Sequence, residues 1–298
     1  MKLYQFLYLP WWYFKVRFLN KKIPLQTVIF VSNVCNYNCK HCCVDKSIPL
    51  KMSYEDVKKH LEYSYSLGSR FVDFEGGEPT LWRDGDRTVN DLCALAKSIG
   101  FFSTTVTTNA SQDFSWLNSD HVFVSLDGIE ALDKIRGKGA FRYLEENLSK
   151  YPQSKKLSVN MVINSINEDE VFRVLEYVEK SSYINGISFN FYNQVGDNVS
   201  LKSTLKPDII AKLIEYKMKG YNIINTIQGL KNLKTPKVKR ACWITNFITV
   251  LGERFIGCQM QGSDICKDCG LGMSGEMSAL YNLNLETVLA GLKLRLFS

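Results

Sequence analysis

Three cysteines stand close together in Cys35-Asn36-Tyr37-Asn38-Cys39-Lys40-His41-Cys42, spaced C-x3-C-x2-C directly after the apolar run Thr27–Val31. Three thiolates in one short loop can ligate three irons of a cubane 4Fe–4S cluster. A ferredoxin would add a fourth cysteine; here the fourth iron stays open to a small ligand. An open iron means chemistry at the cluster rather than electron storage. Two other readings compete. Zinc could take two of these cysteines, with His41 or the adjacent Cys43 completing a tetrahedral site, or the loop could be merely structural. A second motif decides for the cluster. Arg70-Phe71-Val72-Asp73-Phe74-Glu75-Gly76-Gly77-Glu78-Pro79 is another strand-like run, ending in Gly-Gly-Glu-Pro. Adjacent glycines permit close backbone approach and positive φ. Pro79 then fixes the exit, and the backbone groups before it are free to bind an ammonium or a carboxylate.

Such loops need strands to carry them. Short apolar runs alternate with helical stretches along the chain, which argues for parallel strands joined by crossover helices. Strands are expected at Thr27–Val31, Phe71–Phe74, Phe101–Thr107, His121–Leu126, Leu157–Ile163 and Ile187–Phe191. Helices are expected around Ser53–Leu67, Thr88–Ser98, Glu168–Lys180 and Pro207–Lys219. Ser53 is placed as an N-cap with Asp56 three residues on, and Asn167 is expected to cap the later helix likewise. At 298 residues the chain can bury one α/β barrel-like domain.

Together the cysteine and glycine motifs resemble the radical S-adenosylmethionine (radical SAM) superfamily. Its hallmark C-x3-C-x-φ-C follows the first barrel strand, with His41 here in the usually aromatic φ position. Its GGEP-like motif follows the second strand, matched by Gly76 to Pro79 letter for letter. The resemblance implies an α/β fold, a partial (β/α)6 barrel with function at the C-terminal strand ends. It also implies that Cys35, Cys39 and Cys42 hold a 4Fe–4S cluster whose open iron is chelated by SAM. Gly76, Gly77, Glu78 and Pro79 would position the SAM amino group, and His41 would back the adenine. One electron, from a donor such as ferredoxin or flavodoxin, would cleave SAM to a 5′-deoxyadenosyl radical that abstracts hydrogen from a substrate. Family-like strand ends extend the site to Asn109, to Ser125 and Asp127 in Ser-Leu-Asp-Gly, and to Arg136. The plainer readings are a simple turn at Asp127-Gly128 and a surface ion pair at Arg136. Asn160, Asn164 and Asn190 are further candidates on the fifth and sixth strands.

A second cysteine group lies near the C-terminus. Cys242 precedes an expected hairpin, Ile244–Val250 and Arg254–Ile256, followed by Gly257-Cys258 and then Cys266-Lys267-Asp268-Cys269. This resembles the cysteine-bearing SPASM and twitch extensions of radical SAM enzymes, although Gly252 and Cys258 enclose five residues where the usual pattern has four. Cys242, Cys258, Cys266 and Cys269 can supply at most one auxiliary centre, a second 4Fe–4S cluster or a structural zinc, or remain free thiols. Nine cysteines, an odd total with three in one cofactor loop and no evident cleavable signal, argue against a disulfide framework. Cys43 and Cys93 are expected as reduced thiols in a reducing, cytoplasmic compartment, with an oxygen-sensitive cofactor.

The division expected is an aromatic and basic segment 1–24, a core barrel 25–222 and a metal-binding extension 223–298. The first segment, Leu3 to Phe14, is almost wholly apolar and leads into Lys15, Arg17, Lys21 and Lys22. It is too short for a membrane span. Its rings and cations suit interfacial contact through residues 3–22, at the inner face of the membrane; alternatively the rings pack on the barrel or a second subunit. The net charge of +7, with clusters at Lys155-Lys156 and Lys231 to Arg240, comes without an arginine-rich tract or RNA-recognition motif, so nucleic acid is not expected as a partner. The function expected is a radical SAM enzyme acting on a peptide, a protein or a membrane lipid. The alternative from another class is a non-catalytic iron–sulfur or zinc scaffold, and the intact GGEP argues against it.

Overall fold

The computed structural model describes residues 3–192, 199–202, 204–234 and 239–296. Residues 1 and 2 of the aromatic segment and residues 235–238 of the basic run lie outside them. Helix α1 (Leu3–Arg17) precedes β1 (Gln26–Ser32), α2 (Tyr54–Leu67), β2 (Phe71–Gly76), α3 (Val89–Ile99) and β3 (Ser103–Thr108). Then come β4 (His121–Ser125), α4 (Ala131–Arg136), α5 (Ala140–Leu148), β5 (Leu157–Ile163), α6 (Val171–Lys180) and β6 (Ile187–Phe191). The chain ends with α7 (Lys206–Met218), α8 (Ile227–Lys234), β7 (Thr245–Ile248), β8 (Arg254–Ile256), α9 (Gly272–Tyr281) and α10 (Leu285–Arg295).

All six expected strands form, parallel, side by side in the order β6-β5-β4-β3-β2-β1. The C-terminal hairpin continues the same sheet, with β7 parallel to β1 and β8 antiparallel to β7.

The two faces of the sheet differ. Side chains alternate along a strand, and on β2 and β3 one set, Val72, Phe74 and Val106, joins a core with Val57 and Leu61 of α2 and Leu92 of α3. The opposite set, Asp73, Glu75, Thr105 and Thr107, lines an inner cavity. Parallel strands covered on both faces usually read as unbroken apolar runs. The polar inner face of these buried strands departs from that pattern. Where the strands begin, Trp12 and Val16 of α1 pack with Leu25, Phe71, Phe102 and Ile244, and the Trp12 indole donates to the Ile23 carbonyl at 2.9 Å. The aromatic segment is thus a helix, and no described helix is long and apolar enough to cross a membrane.

Local signals hold at Ser53, whose side chain accepts from the Asp56 amide at the head of α2. Thr88 and Asp91 form a complete capping box at α3. Asn167 does not cap α6. Its amide is engaged elsewhere, donating to the Asp127 and Val162 carbonyls while its oxygen accepts from the Asn164 amide, and a 3₁₀ turn intervenes before Val171.

Candidate active site

The Gly-Gly pair welds β2 to the loop that carries the cysteines. The Gly77 amide donates to the Ser32 carbonyl at 2.7 Å and the Glu78 amide to Val34 at 2.9 Å, immediately before Cys35. A Cβ on Gly76 would sit 2.1 Å from the Ser32 oxygen, and one on Gly77 2.2 Å from the Val34 oxygen. Gly76 also has φ +138°, a region that L side chains avoid. No side chain fits at either position.

Glu78 is 1% exposed, and its carboxylate points back into the strand ends. It accepts from the Thr80 amide and hydroxyl, the Thr108 hydroxyl at 2.8 Å and the Asn109 amide at 2.7 Å. Burial pushes its carboxyl up, and these four donors oppose the shift. With its oxygens so engaged, Glu78 positions Asn109 rather than offering a free carboxylate. Asn109 in turn aims its amide at the Cys35 sulfur, 3.7 Å away, and at the Asn36 side chain, 3.0 Å away.

A second carboxylate does the same on the other side. Asp127, at the end of β4, is wholly buried. It accepts from Arg136 Nε at 2.8 Å and Nη2 at 2.5 Å through one oxygen, and from the Val162 amide at 2.9 Å through the other. Arg136 Nη1 reaches the Cys39 sulfur at 3.8 Å. Against the cost of burial, the Arg136 guanidinium and the Val162 amide hold Asp127 ionised, and its carboxyl lies below the usual range. Arg136 is a buried clamp, not a surface ion pair. Its helix is fixed by Glu170, whose carboxylate accepts from the Ile129, Glu130 and Ala131 amides. The loop is tied to the same helix, because the Lys40 amide donates to the Ile135 carbonyl.

His41 Nε2 lies 3.6 Å from the same Asp127 oxygen, and burial lowers the imidazole pKa, keeping the ring neutral. Its Nδ1 is buried without a hydrogen-bond partner among the described residues. Ser125 closes β4 opposite Asn160 of β5. Asn190 of β6 donates to Asn160 at 2.6 Å and accepts from the Gly272 amide. Both asparagines line the lumen; Asn164 instead caps its own turn, accepting from the Ile166 amide.

Cys35, Cys39 and Cys42 are half-buried free thiols. Among the described residues, no three His, Cys, Asp or Glu side chains converge on a single metal ion. A cubane would take each of the three thiolates at a separate iron. N–H donors at two of the sulfurs and an orphaned ring nitrogen beside them fit an anionic cluster with a polar ligand on its open side. Cys242, Cys258, Cys266 and Cys269 gather around a small cavity of their own beneath α9.

Two further groups carry no sequence signal. Glu75, one pleat from Gly76, faces the lumen with a single 3.4 Å bond from Thr107, and burial, then Asp73, pushes its carboxyl up to about 7. Arg295 of α10 enters the lumen from the far end of the chain, pairing with Asp73 and donating to Thr105 at 2.6 Å.

The family model of the radical SAM superfamily matches residues 29–178. The chain is similar to a probable GTP 3′,8-cyclase of Saccharolobus islandicus, 30% identical over 166 residues that cover 51% of this chain and 53% of that protein. A GTP 3′,8-cyclase of Sulfurimonas denitrificans is 24% identical over 259 residues, 81% of this chain and 74% of that one. The chain thus spans about half the length of the first of these curated relatives. Among solved structures, SuiB of Streptococcus suis bound to S-adenosylmethionine aligns with a TM-score of 0.61 at 16% identity, covering 93% of this chain and 70% of SuiB. The anSMEcpe structure with AdoMet and the Kp18Cys peptide aligns at 0.63 and 18%, covering 92% and 88%. At those identities the likeness is one of fold, and it spans nearly all of this chain. The family match extends from β1 through the cysteine loop, the Gly-Gly-Glu-Pro weld and the Asp127–Arg136 clamp: the chain belongs to the radical SAM superfamily.

Proposed function

We propose that the chain is an enzyme that binds a 4Fe–4S cluster through Cys35, Cys39 and Cys42, cleaves SAM reductively and uses the radical to abstract hydrogen from a substrate in the lumen. The observation that carries this reading is the pair of N–H donors at Cys35 and Cys39, each held by its own buried carboxylate. When bound, the cluster would supply the electron that breaks the SAM sulfonium bond; a reduced ferredoxin or flavodoxin would replenish it.

The chain's own residues do the rest. Gly76 to Pro79 hold the loop and border the methionyl part of SAM, Asn109 and Arg136 stabilise sulfur charge, and His41 backs the adenine. Ser125 and Asp127 close the ribose side, Asp127 by orienting Arg136 and His41 rather than by touching the sugar. Donors to the sulfurs also tune the cluster's potential. The four C-terminal cysteines around one small cavity would hold a second centre, a cluster or a structural zinc.

The test is 5′-deoxyadenosine formation by anaerobically reconstituted protein given dithionite and SAM. Formation is expected without added substrate. Fully iron-loaded protein that forms none, and whose reduced cluster spectrum ignores SAM, would be a scaffold instead.

A further inference from the structure

We infer that the lumen accepts a single-chain lipid, drawn from a membrane surface through a mouth built by α1 and α10, with the lipid's polar end presented to the SAM end of the barrel. This deepens the enzymatic reading above and rests on it.

The cavity measures about 830 Å³, within the range of pockets that enclose a whole small ligand. One end lies at the C-terminal ends of the strands and is polar, with Glu75, Thr107, Asn160 and Asn190. The other end is apolar and lies between α1, α9 and α10. There Phe6 and Phe14 of α1, and Phe18 just past its end, line the cavity while remaining 46%, 53% and 69% exposed. Leu283 stands across from them, 55% exposed. Rings that line a cavity and also face outward form its rim.

The alternative occupant, a peptide, meets a chemical obstacle. A backbone threaded through the apolar half would need partners for every buried N–H and C=O, and each one missing costs about 1–3 kcal/mol. The polar groups along that path are already engaged. Glu276 accepts from the Thr226 amide and hydroxyl, Asp73 is taken by Arg295 and Gln26, and the Tyr13 hydroxyl donates to Tyr281. A hydrocarbon chain needs none of them.

The rim also suits a membrane as the source. Exposed Arg17, Lys21 and Lys22 follow the rings of α1, and Lys15 lies over the Trp11 ring at 4.0 Å. Aromatic rings beside cations are the composition that seats a helix at an anionic lipid surface.

The experiment titrates the reconstituted 298-residue chain with 1-monooleoylglycerol carried in phosphatidylglycerol vesicles, and extracts and weighs the lipid retained by the protein. Two variants act at the mouth and leave the core alone. Gly291→Phe adds a ring where a Cβ meets nothing within 4 Å, and Phe14→Glu charges an exposed rim position. Saturable uptake of one lipid per chain is expected, weakened about tenfold or more in both variants, with melting temperatures within a few degrees of the parent. No saturable uptake, equal uptake by parent and variants, or preferential uptake of an apolar peptide would overturn the assignment. SAM cleavage is scored on the same preparation. Uptake without cleavage would remove the enzymatic reading alone, and cleavage without uptake would remove the lipid alone.

Discussion

The two cysteine sites are held differently. At the first, Asn109 and Arg136 bring N–H donors to the Cys35 and Cys39 sulfurs, and the buried carboxylates of Glu78 and Asp127 anchor those donors. At the second, Cys266 donates to the Met260 carbonyl at 3.5 Å, Cys269 exchanges a bond with the Ser274 hydroxyl at 3.4 Å, and Arg240 lines the same cavity. Burial pushes Cys242 up to about 11; its neighbouring cysteines add to the shift and Arg240 opposes it. Burial also raises Cys39, but Arg136 opposes it there. The first site has N–H donors in place for sulfurs that deprotonate when iron binds. The second would likewise lose its thiol protons on binding a metal.

The largest expected effect tests that asymmetry directly. Alanine at Cys35, Cys39 or Cys42 is expected to abolish 5′-deoxyadenosine formation altogether. Serine at Cys258 or Cys269 should lower metal content per chain while basal SAM cleavage survives. Iron analysis and the cleavage assay on the same samples check both; equal loss from both groups would erase the distinction.

Next comes the clamp. Arg136→Met leaves Asp127 ionised and unpaired in a wholly buried place, and breaking such a pair costs about 3–5 kcal/mol. Asp127→Asn added to that variant should recover part of the loss, because the stranded charge is gone. Urea unfolding of the two single variants and the double variant measures the coupling, and additive losses would show that the pair does not act as a unit. Glu78→Gln should cost less, about 1–3 kcal/mol. Glutamine replaces an oxygen that accepts from Asn109, or one that accepts from Thr80 and Thr108, with a competing donor. The cluster's reduction potential should shift with it, since Asn109 hangs from that carboxylate.

What could be read from the sequence follows the distance over which each residue acts. The cysteine loop and the Gly-Gly pair were legible because their geometry is local: two glycines meet a backbone that lies one strand away. Asn109 and Arg136 were found from their places at and after strand ends, but not their purpose, since nothing in the sequence says which sulfur each one faces. Glu170 was missed because it caps α4 from about 40 residues downstream. Asn167 was misjudged because tertiary demand at Asp127 and Val162 outweighed the local cap. Asp73 and Arg295, 222 residues apart, meet only once the C-terminal helix docks in the lumen. Helix α1 was legible as apolar but not as a helix: Pro10 interrupts it, and aromatic residues on all sides blur its periodicity.

The smallest expected effect separates the two glutamates flanking the Gly-Gly pair. Glu78 has four donors; Glu75 has one long bond from Thr107, with Asp73 raising its pKa and Arg295 lowering it. Glu75 is ordinarily acidic at 4.5 and is pushed up to about 7 in the fold, so between those values folding takes up a proton. Its contribution is fully present below about pH 4.5 and is lost as the pH rises through about 7. Glu276, likewise pushed up to about 7 by burial, acts in the same direction. His121, pushed down by burial to about 3, acts in the opposite direction below its ordinary 6.5, so the melting temperature should fall between about pH 6.5 and pH 8, by about 2–4 °C for each kcal/mol lost. Glu75→Gln, which cannot ionise, should flatten that slope in part, and Glu75→Gln with Glu276→Gln should flatten it further. An unchanged slope in the double variant would place the titration elsewhere and leave Glu75 an ordinary lumen carboxylate.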